Sequence, residues 1–161
     1  GLMHLVCGES ANVGVIMGSP WVLCHSERVA GFTDHVKKNC PHIRIVGTAV
    51  NNDDDLESFS VTQKMLKAHP EINALFLAAA GVQGACRAVE DLGLTGKIKI
   101  ISYDATERTC KLVNEGAIVS PIVQQAFTHA AKPLDILLYY LGMDLPSETD
   151  FFYTIIDIKI K

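Results

Sequence analysis

The residues of this chain that can recognise a small molecule by hydrogen bonding are few, and three of them follow predicted strands. Arg28 comes after the apolar run at residues 13–17, and Asp104 and Gln124 come after two later apolar runs. A guanidinium carries five donors, a carboxylate accepts from paired hydroxyls, and a side-chain amide both donates and accepts. This combination predicts a site for a neutral molecule with several hydroxyl groups.

Each of these residues also has a purely structural interpretation. Arg28 can be a solvated helix residue paired with a nearby carboxylate, as many surface arginines are. Asp104 can cap the helix that begins near Thr106. Gln124 opens the last predicted helix and can be an ordinary surface residue.

Two further candidates are Asp53 and Trp21. Asp53 lies in the polar cluster at residues 51–55, which favours a helix start with carboxylates at the positive end of the helix dipole. A metal cluster is the less favoured alternative for this run, and no metal site is predicted. Trp21 follows Pro20 and can form an apolar wall for a sugar ring, although aromatic residues more often lie in the core.

The composition is that of a globular protein with a sizeable core. The 161 residues are 48% hydrophobic and 20% charged, with a net charge of −4, and they suffice for one domain or for one half of a two-lobed molecule. No apolar run approaches the roughly 18 residues of a membrane span. The basic residues are too scattered for a nucleic-acid groove, so neither membrane insertion nor DNA binding by this chain is expected.

The five cysteines are odd in number, widely spaced and without a CxxC pair, which argues against a disulfide framework. Such thiols are typical small buried residues of proteins in a reducing cytoplasm. The first ten residues lack the charged start and long apolar core of a secretion signal. We therefore expect a cytoplasmic protein.

Motifs that would indicate catalysis are missing from the sequence. It contains no GxGxxG or GxxxxGK[ST] phosphate loop, no GxSxG elbow and no HExxH pair. The six histidines are dispersed, and none has a carboxylate and a nucleophile at a spacing that suggests a triad. We predict neither enzymatic activity nor a cofactor.

Apolar strands alternate with amphipathic helices along the chain, which predicts an α/β fold with a parallel sheet between two helical layers. Five strand-helix units fit a doubly wound sheet with the order 2-1-3-4-5, in which the carboxyl ends of the strands form the ligand crevice. Residues 151–161 alternate as an extra C-terminal strand. The five main strands are predicted at residues 13–17, 43–50, 74–78, 98–103 and 117–123.

The helix patterns predict buried faces and helix ends. Leu56, Phe59 and Leu66 mark the buried face of the second helix. Gly93 is placed to end the third helix, with Leu94 packing back against it.

Several segments, in the same order, resemble the LacI family of bacterial transcription regulators and its relatives, the periplasmic sugar-binding proteins. They are SERVAGF at 26–32, HPEINALF at 69–76, GVQGACRAV at 81–89, IISYDA at 100–105 and IVQQ at 122–125. The resemblance covers nearly the whole chain. It implies the flavodoxin-like fold of a periplasmic-binding-protein type I lobe.

The resemblance also implies a domain organisation and a function. Residues 1–161 would be a single lobe, the C-terminal part of an effector-binding domain whose first lobe and DNA-binding headpiece are absent from the chain. The ligand would be a carbohydrate or a related small polar effector. Its binding would control DNA binding allosterically in a full-length homodimer, with DNA contacted only through the headpiece.

By the same resemblance, Arg28 and Asp104 match effector-binding positions, and Gln124 matches a polar residue of the pocket. Two departures are visible. Asp53 falls near a position where many members place an aromatic side chain on the sugar, and the AAAG segment at residues 78–81 stands where many have an Asn-Asp pair. The departures imply a different effector.

Two other functions stay open. An extracytoplasmic sugar-binding protein of a transport system shares the resemblance, and an upstream signal peptide, in place of a helix-turn-helix, would identify it. A small flavodoxin-like enzyme is the third possibility. An activity abolished by Asp104→Ala would indicate that function.

Overall fold

The computed structural model describes residues 3, 7, 8, 10–142 and 156–158, with the backbone alone at positions 139, 156 and 157. Its strands are β1 (Ala11–Met17), β2 (Ile43–Val50), β3 (Ala74–Leu77), β4 (Lys99–Tyr103), β5 (Ser120–Gln124) and β6 (Ile156–Ile158). Its helices are α1 (Leu23–Asn39), α2 (Asp55–Ala68), α3 (Val82–Asp91), α4 (Glu107–Asn114) and α5 (Ala126–Tyr140).

The strands form one sheet in the order β2-β1-β3-β4-β5-β6. Strands β1 to β5 are mutually parallel, whereas β6 runs antiparallel to β5. The predicted doubly wound α/β fold and its order 2-1-3-4-5 are therefore confirmed. The extra C-terminal strand is described at Ile156–Ile158, and the rest of its predicted range lies outside the described residues.

Central strands are apolar on both faces because each face packs against helices. In β3, Leu75 and Leu77 belong to the core shared with α2, α3 and α4. Ala74 and Phe76 belong to the core shared with α1. Successive side chains of a strand point to opposite faces, so one short strand serves both cores, and the sheet is held from both sides.

Side-chain caps start two of the helices. Asp54 caps α2 by accepting two backbone N–H bonds, each of 2.8 Å, from its first turn. Thr106 caps α4 by accepting from the backbone N–H of Thr109 at 3.1 Å. Thr106, and not Asp104, is therefore the cap of α4, so one structural interpretation of Asp104 does not hold.

Gly93 ends α3 as predicted, with a left-handed φ of 66°. Its N–H donates to the carbonyl of Glu90 at 2.8 Å, and the N–H of Leu94 donates to the carbonyl of Val89 at 2.9 Å. These two bonds are the Schellman pattern. A glycine at this position avoids the steric cost that a Cβ has at positive φ.

Two local predictions are wrong. Leu56 is 79% exposed because the buried residues of α2 are Ser58, Thr62, Met65 and Leu66, a stripe that does not pass through its first turn. Gln124 is the last residue of β5 and does not open a helix, because pairing with Ile156 of β6 extends the strand to that position.

All five cysteines are free thiols. Cys40 and Cys86 are buried as predicted, whereas the other three are exposed or half-buried. Burial, with a smaller contribution from the negative charge of Asp55, raises the pKa of Cys86 to about 12. This thiol therefore stays protonated at neutral pH and acts as a small apolar side chain.

Candidate ligand-binding site at the carboxyl edge of the sheet

Because β1 to β5 are parallel, the loops that follow them lie along one edge of the sheet. We call these loops the carboxyl edge. They comprise residues 18–22, 51–54, 78–81, 104–106 and 125. Trp21, Asp53 and Asp104 lie within the edge, Gln124 directly precedes its last loop, and Arg28 reaches it from α1.

Arg28 is held in place by a backbone carbonyl and an aromatic ring. Its Nη1 donates to the carbonyl oxygen of Ala78 at 2.8 Å, and its guanidinium carbon lies 4.0 Å from the centroid of the Tyr103 ring. Among the described residues, no carboxylate lies within 4.0 Å of this guanidinium. Arg28 is thus not the ion-paired surface residue of the structural interpretation, and most of its donors remain available to a ligand.

Tyr103 was not predicted as a site residue, and it is the platform on which Arg28 rests. Burial raises the pKa of its phenol, Arg28 opposes this shift, and Asp104 adds to it. Its ring packs edge-on against Phe76 with centroids 6.0 Å apart, and Phe76 stacks on Phe32 at 4.3 Å. An aromatic residue at the end of a strand, beside a candidate aspartate, is the signal that could have identified it.

Asp53 joins two loops of the edge. Its Oδ1 accepts from the backbone N–H of Ala80 at 3.0 Å, and its Oδ2 lies 3.8 Å from Nδ1 of His25. The same Nδ1 accepts from the backbone N–H of Ser19 at 3.2 Å. The carboxylate of Asp53 is therefore already engaged with the protein.

Asn51, which is buried, adds a second link between the loops after β2 and β3. Its Nδ2 donates to the carbonyl of Ala80 at 2.8 Å, and its Oδ1 accepts from the backbone N–H of Asp53 at 3.1 Å. The side chain is 2% exposed, so these bonds satisfy polar atoms that water reaches poorly. Asn51 and Asp53 together hold both backbone groups of Ala80.

Asp104 and Gln124 meet at the other end of the edge. Nε2 of Gln124 donates to Oδ1 of Asp104 at 3.2 Å. Asp104 is exposed, and Gln124 is half-buried. Two side chains from successive strands thus present a carboxylate and an amide at one place, as the parallel sheet predicted.

Unusual backbone geometry is concentrated at the carboxyl edge. In the part of the chain that the structure describes, the residues other than glycine with positive φ are Asn52, Asp53 and Asp104, at 49°, 60° and 62°. All three lie in loops that follow β2 or β4. Such conformations persist where the surrounding structure enforces them, and they cluster at functional sites.

Trp21 stands apart from the other candidates. Its side chain is 93% exposed, and its backbone N–H donates to Oγ of Ser19 at 3.3 Å. A second exposed aromatic residue, Phe127, lies in the first turn of α5 and is 87% exposed. Trp21 thus presents an apolar surface within the edge, and Phe127 presents one next to its last loop.

Two hollows flank Asp104. One, of about 190 Å³, lies between the loops after β3 and β4. The other, of about 580 Å³, lies between the loops after β4 and β5 and is lined by Gln124 and Asp104. A ligand at Asp104 therefore has space on both sides.

The described residues form neither a metal site nor a membrane-spanning helix. No group of three or more histidine, cysteine, aspartate or glutamate side chains is placed to hold a metal ion in that part of the chain. None of the helices described there combines the length and the apolar composition needed to cross a bilayer. The donors of the edge suit hydroxyl groups.

Comparison with known proteins identifies the family. Residues 2–143 match the family described as periplasmic binding protein domain. The chain belongs to this family. Within its members, the chain is 26% identical over 136 residues to the D-ribose/D-allose-binding protein of Pseudomonas aeruginosa, covering 84% of this chain and 42% of that protein.

Solved structures give the same assignment for this periplasmic binding protein domain. A glucose-galactose binding protein from Geobacillus stearothermophilus has a TM-score of 0.88 and 25% identity, over 99% of this chain and 56% of that one. An ABC transporter periplasmic solute binding protein from Actinobacillus succinogenes, with bound D-allose, has a TM-score of 0.86 and 27% identity, over 96% and 54%. The chain thus spans about half the length of these proteins.

Proposed function

We propose that this chain is a sugar-binding lobe whose carboxyl edge contacts the hydroxyl groups of a monosaccharide unit. The observation that carries the proposal is the state of Arg28, which is fixed by Ala78 and Tyr103 but has no carboxylate partner within 4.0 Å among the described residues. A cation oriented in this way offers directed donors without the cost of ordering a mobile side chain.

Asp104 and Gln124 supply the complementary groups. The carboxylate accepts from hydroxyls, and the Gln124 amide, bonded to it at 3.2 Å, fixes its direction and can bond the ligand itself. Asp53 acts as a positioning residue, because its carboxylate already accepts from the backbone N–H of Ala80. Trp21 offers an exposed apolar surface to the face of a sugar ring.

The lobe supplies one side of the site. The chain covers 42% of the Pseudomonas aeruginosa protein and 54% of the Actinobacillus succinogenes protein, and we propose that a second lobe covers the sugar from the opposite side. Binding would then favour the closed arrangement in proportion to its extra affinity for that state.

A transport role is favoured over a regulatory one. The relatives are named as sugar-binding proteins, and two of the names state a transport role: the ribose import binding protein of Escherichia coli and the ABC transporter periplasmic solute binding protein of Actinobacillus succinogenes. The resemblance to LacI-type regulators, with a DNA-binding headpiece, a homodimer and a cytoplasmic location, stays a prediction. A helix-turn-helix encoded upstream in the gene would support the regulator, and a signal peptide there would support the transport protein.

The test is a thermal-shift screen of the full-length gene product against a panel of pentoses and hexoses. A sugar at about 100 times its dissociation constant adds about 2.7 kcal/mol to the free energy of unfolding. Calorimetry with the best ligand then compares Arg28→Ala and Asp104→Ala with two controls at exposed positions away from the edge, Arg44→Ala and Asp34→Ala.

We expect each site variant to weaken binding by more than tenfold, which is about 1.4 kcal/mol, and each control to bind as the unsubstituted protein does. Unchanged affinity in both site variants would contradict the assignment of the site. A panel in which no sugar stabilises the protein would contradict the function.

A further inference from the structure

The segment that follows β3 has unusually little side-chain volume for the centre of a binding edge. It consists of three alanines and Gly81, residues 78–81. The hollow of about 190 Å³ opens beside it and extends to the loop after β4 and the first turn of α4. We call this hollow the alanine cavity.

The alanine cavity is continuous with the proposed sugar site. Asp104 and Tyr103 both line it. Both also belong to the proposed sugar site, because Asp104 is bonded by Gln124 and Tyr103 supports Arg28. A sugar whose hydroxyls bond Asp104 therefore lies next to both hollows. A group attached to that sugar can extend into the alanine cavity or into the larger hollow on the other side of Asp104. The ligand can extend from this point without leaving the lobe.

The wall of the cavity is held in place by side-chain bonds to its backbone. The backbone N–H of Ala80 donates to Asp53, and its carbonyl accepts from Asn51. Gly81 has a φ of 84°, and a Cβ there would overlap the Asn51 amide and approach Cβ of Ser58 to 2.9 Å. The backbone of this segment is thus fixed, whereas the side chain of Ala80 is exposed.

Polar groups at the rim include both donors and acceptors. Arg108 extends from α4, and its Nη1 lies 3.4 Å from Oε1 of Gln83 in α3. Asp55 and Asp104 contribute carboxylates, although Asp55 already accepts from the backbone N–H of Gly84 at 3.1 Å. The two carboxylates would repel a negatively charged ligand group, and Arg108 would repel a positively charged one. An uncharged group that both donates and accepts hydrogen bonds therefore suits the cavity best.

We propose that the alanine cavity is a subsite for a second sugar residue, so that the preferred ligand is a disaccharide or glycoside. This proposal rests on the proposed function and specifies its ligand class. The first sugar residue contacts Asp104 and Arg28. The second lies against Ala79 and Ala80 and exchanges hydrogen bonds with Gln83 and Arg108.

The test is calorimetry on the full-length gene product with three classes of probe. These are the best-binding monosaccharide, its two methyl glycosides, and disaccharides that carry it at either end. The variant Ala80→Leu fills the cavity without altering the backbone bonds of Ala80. The matched control is Ala130→Leu, because Ala130 is exposed and lines the larger hollow on the other side of Asp104.

We expect at least one disaccharide to bind tenfold or more tightly than the monosaccharide. Ala80→Leu should abolish this advantage while the affinity for the monosaccharide stays within twofold, and Ala130→Leu should leave both affinities unchanged. Melting temperatures of the two variants verify that both fold.

Three results would overturn the subsite. They are equal affinities for the monosaccharide and every extended probe, an equal loss of affinity for both in Ala80→Leu, or loss of the advantage in Ala130→Leu. In each of these cases monosaccharide binding would still support the proposed function. Absence of binding by every sugar would contradict the function and the subsite together.

Discussion

Asp53 and Asp104 have nearly the same backbone conformation, with φ of 60° and 62° in two loops of one edge, yet their carboxylates have different surroundings. Asp53 accepts from a backbone N–H of another loop at 3.0 Å and lies beside His25. Asp104 is bonded at 3.2 Å by the side chain of Gln124. In the half of the edge after β1 to β3, which we call the tied half, the carboxylate joins two loops by bonding a backbone group. In the half after β4 and β5 the carboxylate meets a side chain instead, and the backbone N–H of Asp104 donates separately to the carbonyl of Ile122 at 2.8 Å.

This difference distinguishes a carboxylate that supports the loops from a carboxylate that is available to a ligand. A carboxylate that bonds a backbone group holds two loops in register, and a ligand would have to replace that bond. A carboxylate that is itself exposed and held by a side-chain amide can exchange that partner for a ligand hydroxyl at little cost. Asp104 is therefore the better ligand contact, and Asp53 is the better support for the loop that carries Ala80.

Gly18→Ala is expected to break the tied half with the largest effect. A Cβ at this position would overlap Oδ1 of Asp53 and lie 2.7 Å from the His25 ring. We expect a loss of about 1–3 kcal/mol in the free energy of unfolding, measured by denaturant titration. The control is Gly31→Ala in α1, where a Cβ meets nothing within 4 Å and a gain of about 0.5–1 kcal/mol is expected. Equal stability of Gly18→Ala and the unsubstituted protein would contradict the tied arrangement.

The variants Asp53→Ala and Asp104→Ala measure directly how much each carboxylate contributes to the stability of the fold. Both positions have positive φ, so alanine introduces a similar backbone strain at each, and the difference between the variants reports the side-chain contacts. Asp53→Ala should be less stable than Asp104→Ala by about 1 kcal/mol. The glycine variants of both positions, which relieve the strain, should retain this difference. If the two alanine variants unfold at the same denaturant concentration, Asp53 does not support the edge.

A smaller effect is expected at alkaline pH through Tyr103. Burial raises the pKa of this phenol in the folded state, so the contribution to stability is present below the ordinary pKa and is lost as pH rises through the raised value. Tyr103→Phe keeps the ring beneath Arg28 and should flatten the fall in stability as pH rises above the ordinary tyrosine pKa of about 10. Unfolding curves across this range test it, with the exposed Tyr140→Phe as the matched control. An unchanged alkaline fall in Tyr103→Phe would show that the phenol is not sheltered by the fold.

The sequence predicts the parts of this molecule that depend on local patterns. The run of apolar and β-branched residues at 43–50 coincides with β2, and Gly93 ends α3 because a left-handed φ favours glycine. Leu56 was misassigned because helical periodicity does not show where a buried stripe begins. Gln124 was misassigned because its strand is extended by pairing with a distant segment.

The candidate site was predictable only in part, for a related reason. Parallel topology places Arg28, Asp104 and Gln124 at one edge, and this was inferred from strand order alone. The bond from Arg28 to Ala78 joins residues fifty positions apart in the chain, and that from Asp53 to Ala80 joins residues 27 apart. No local pattern encodes such contacts, so the platform of Tyr103 and the tie through Asp53 became visible only in three dimensions.

The most direct test of the account is to locate the sugar on the lobe by amide NMR of the ¹⁵N-labelled full-length gene product, titrated with the best ligand of the screen. We expect that, within this lobe, the largest shift changes fall on the carboxyl edge, at Ser19, Ala79, Asp104 and Gln125. Asn12 and Asn73, which meet at the opposite end of the sheet through a 2.9 Å bond, should stay unchanged. The largest changes at Asn12 and Asn73, or none at the carboxyl edge at saturating sugar, would contradict the account.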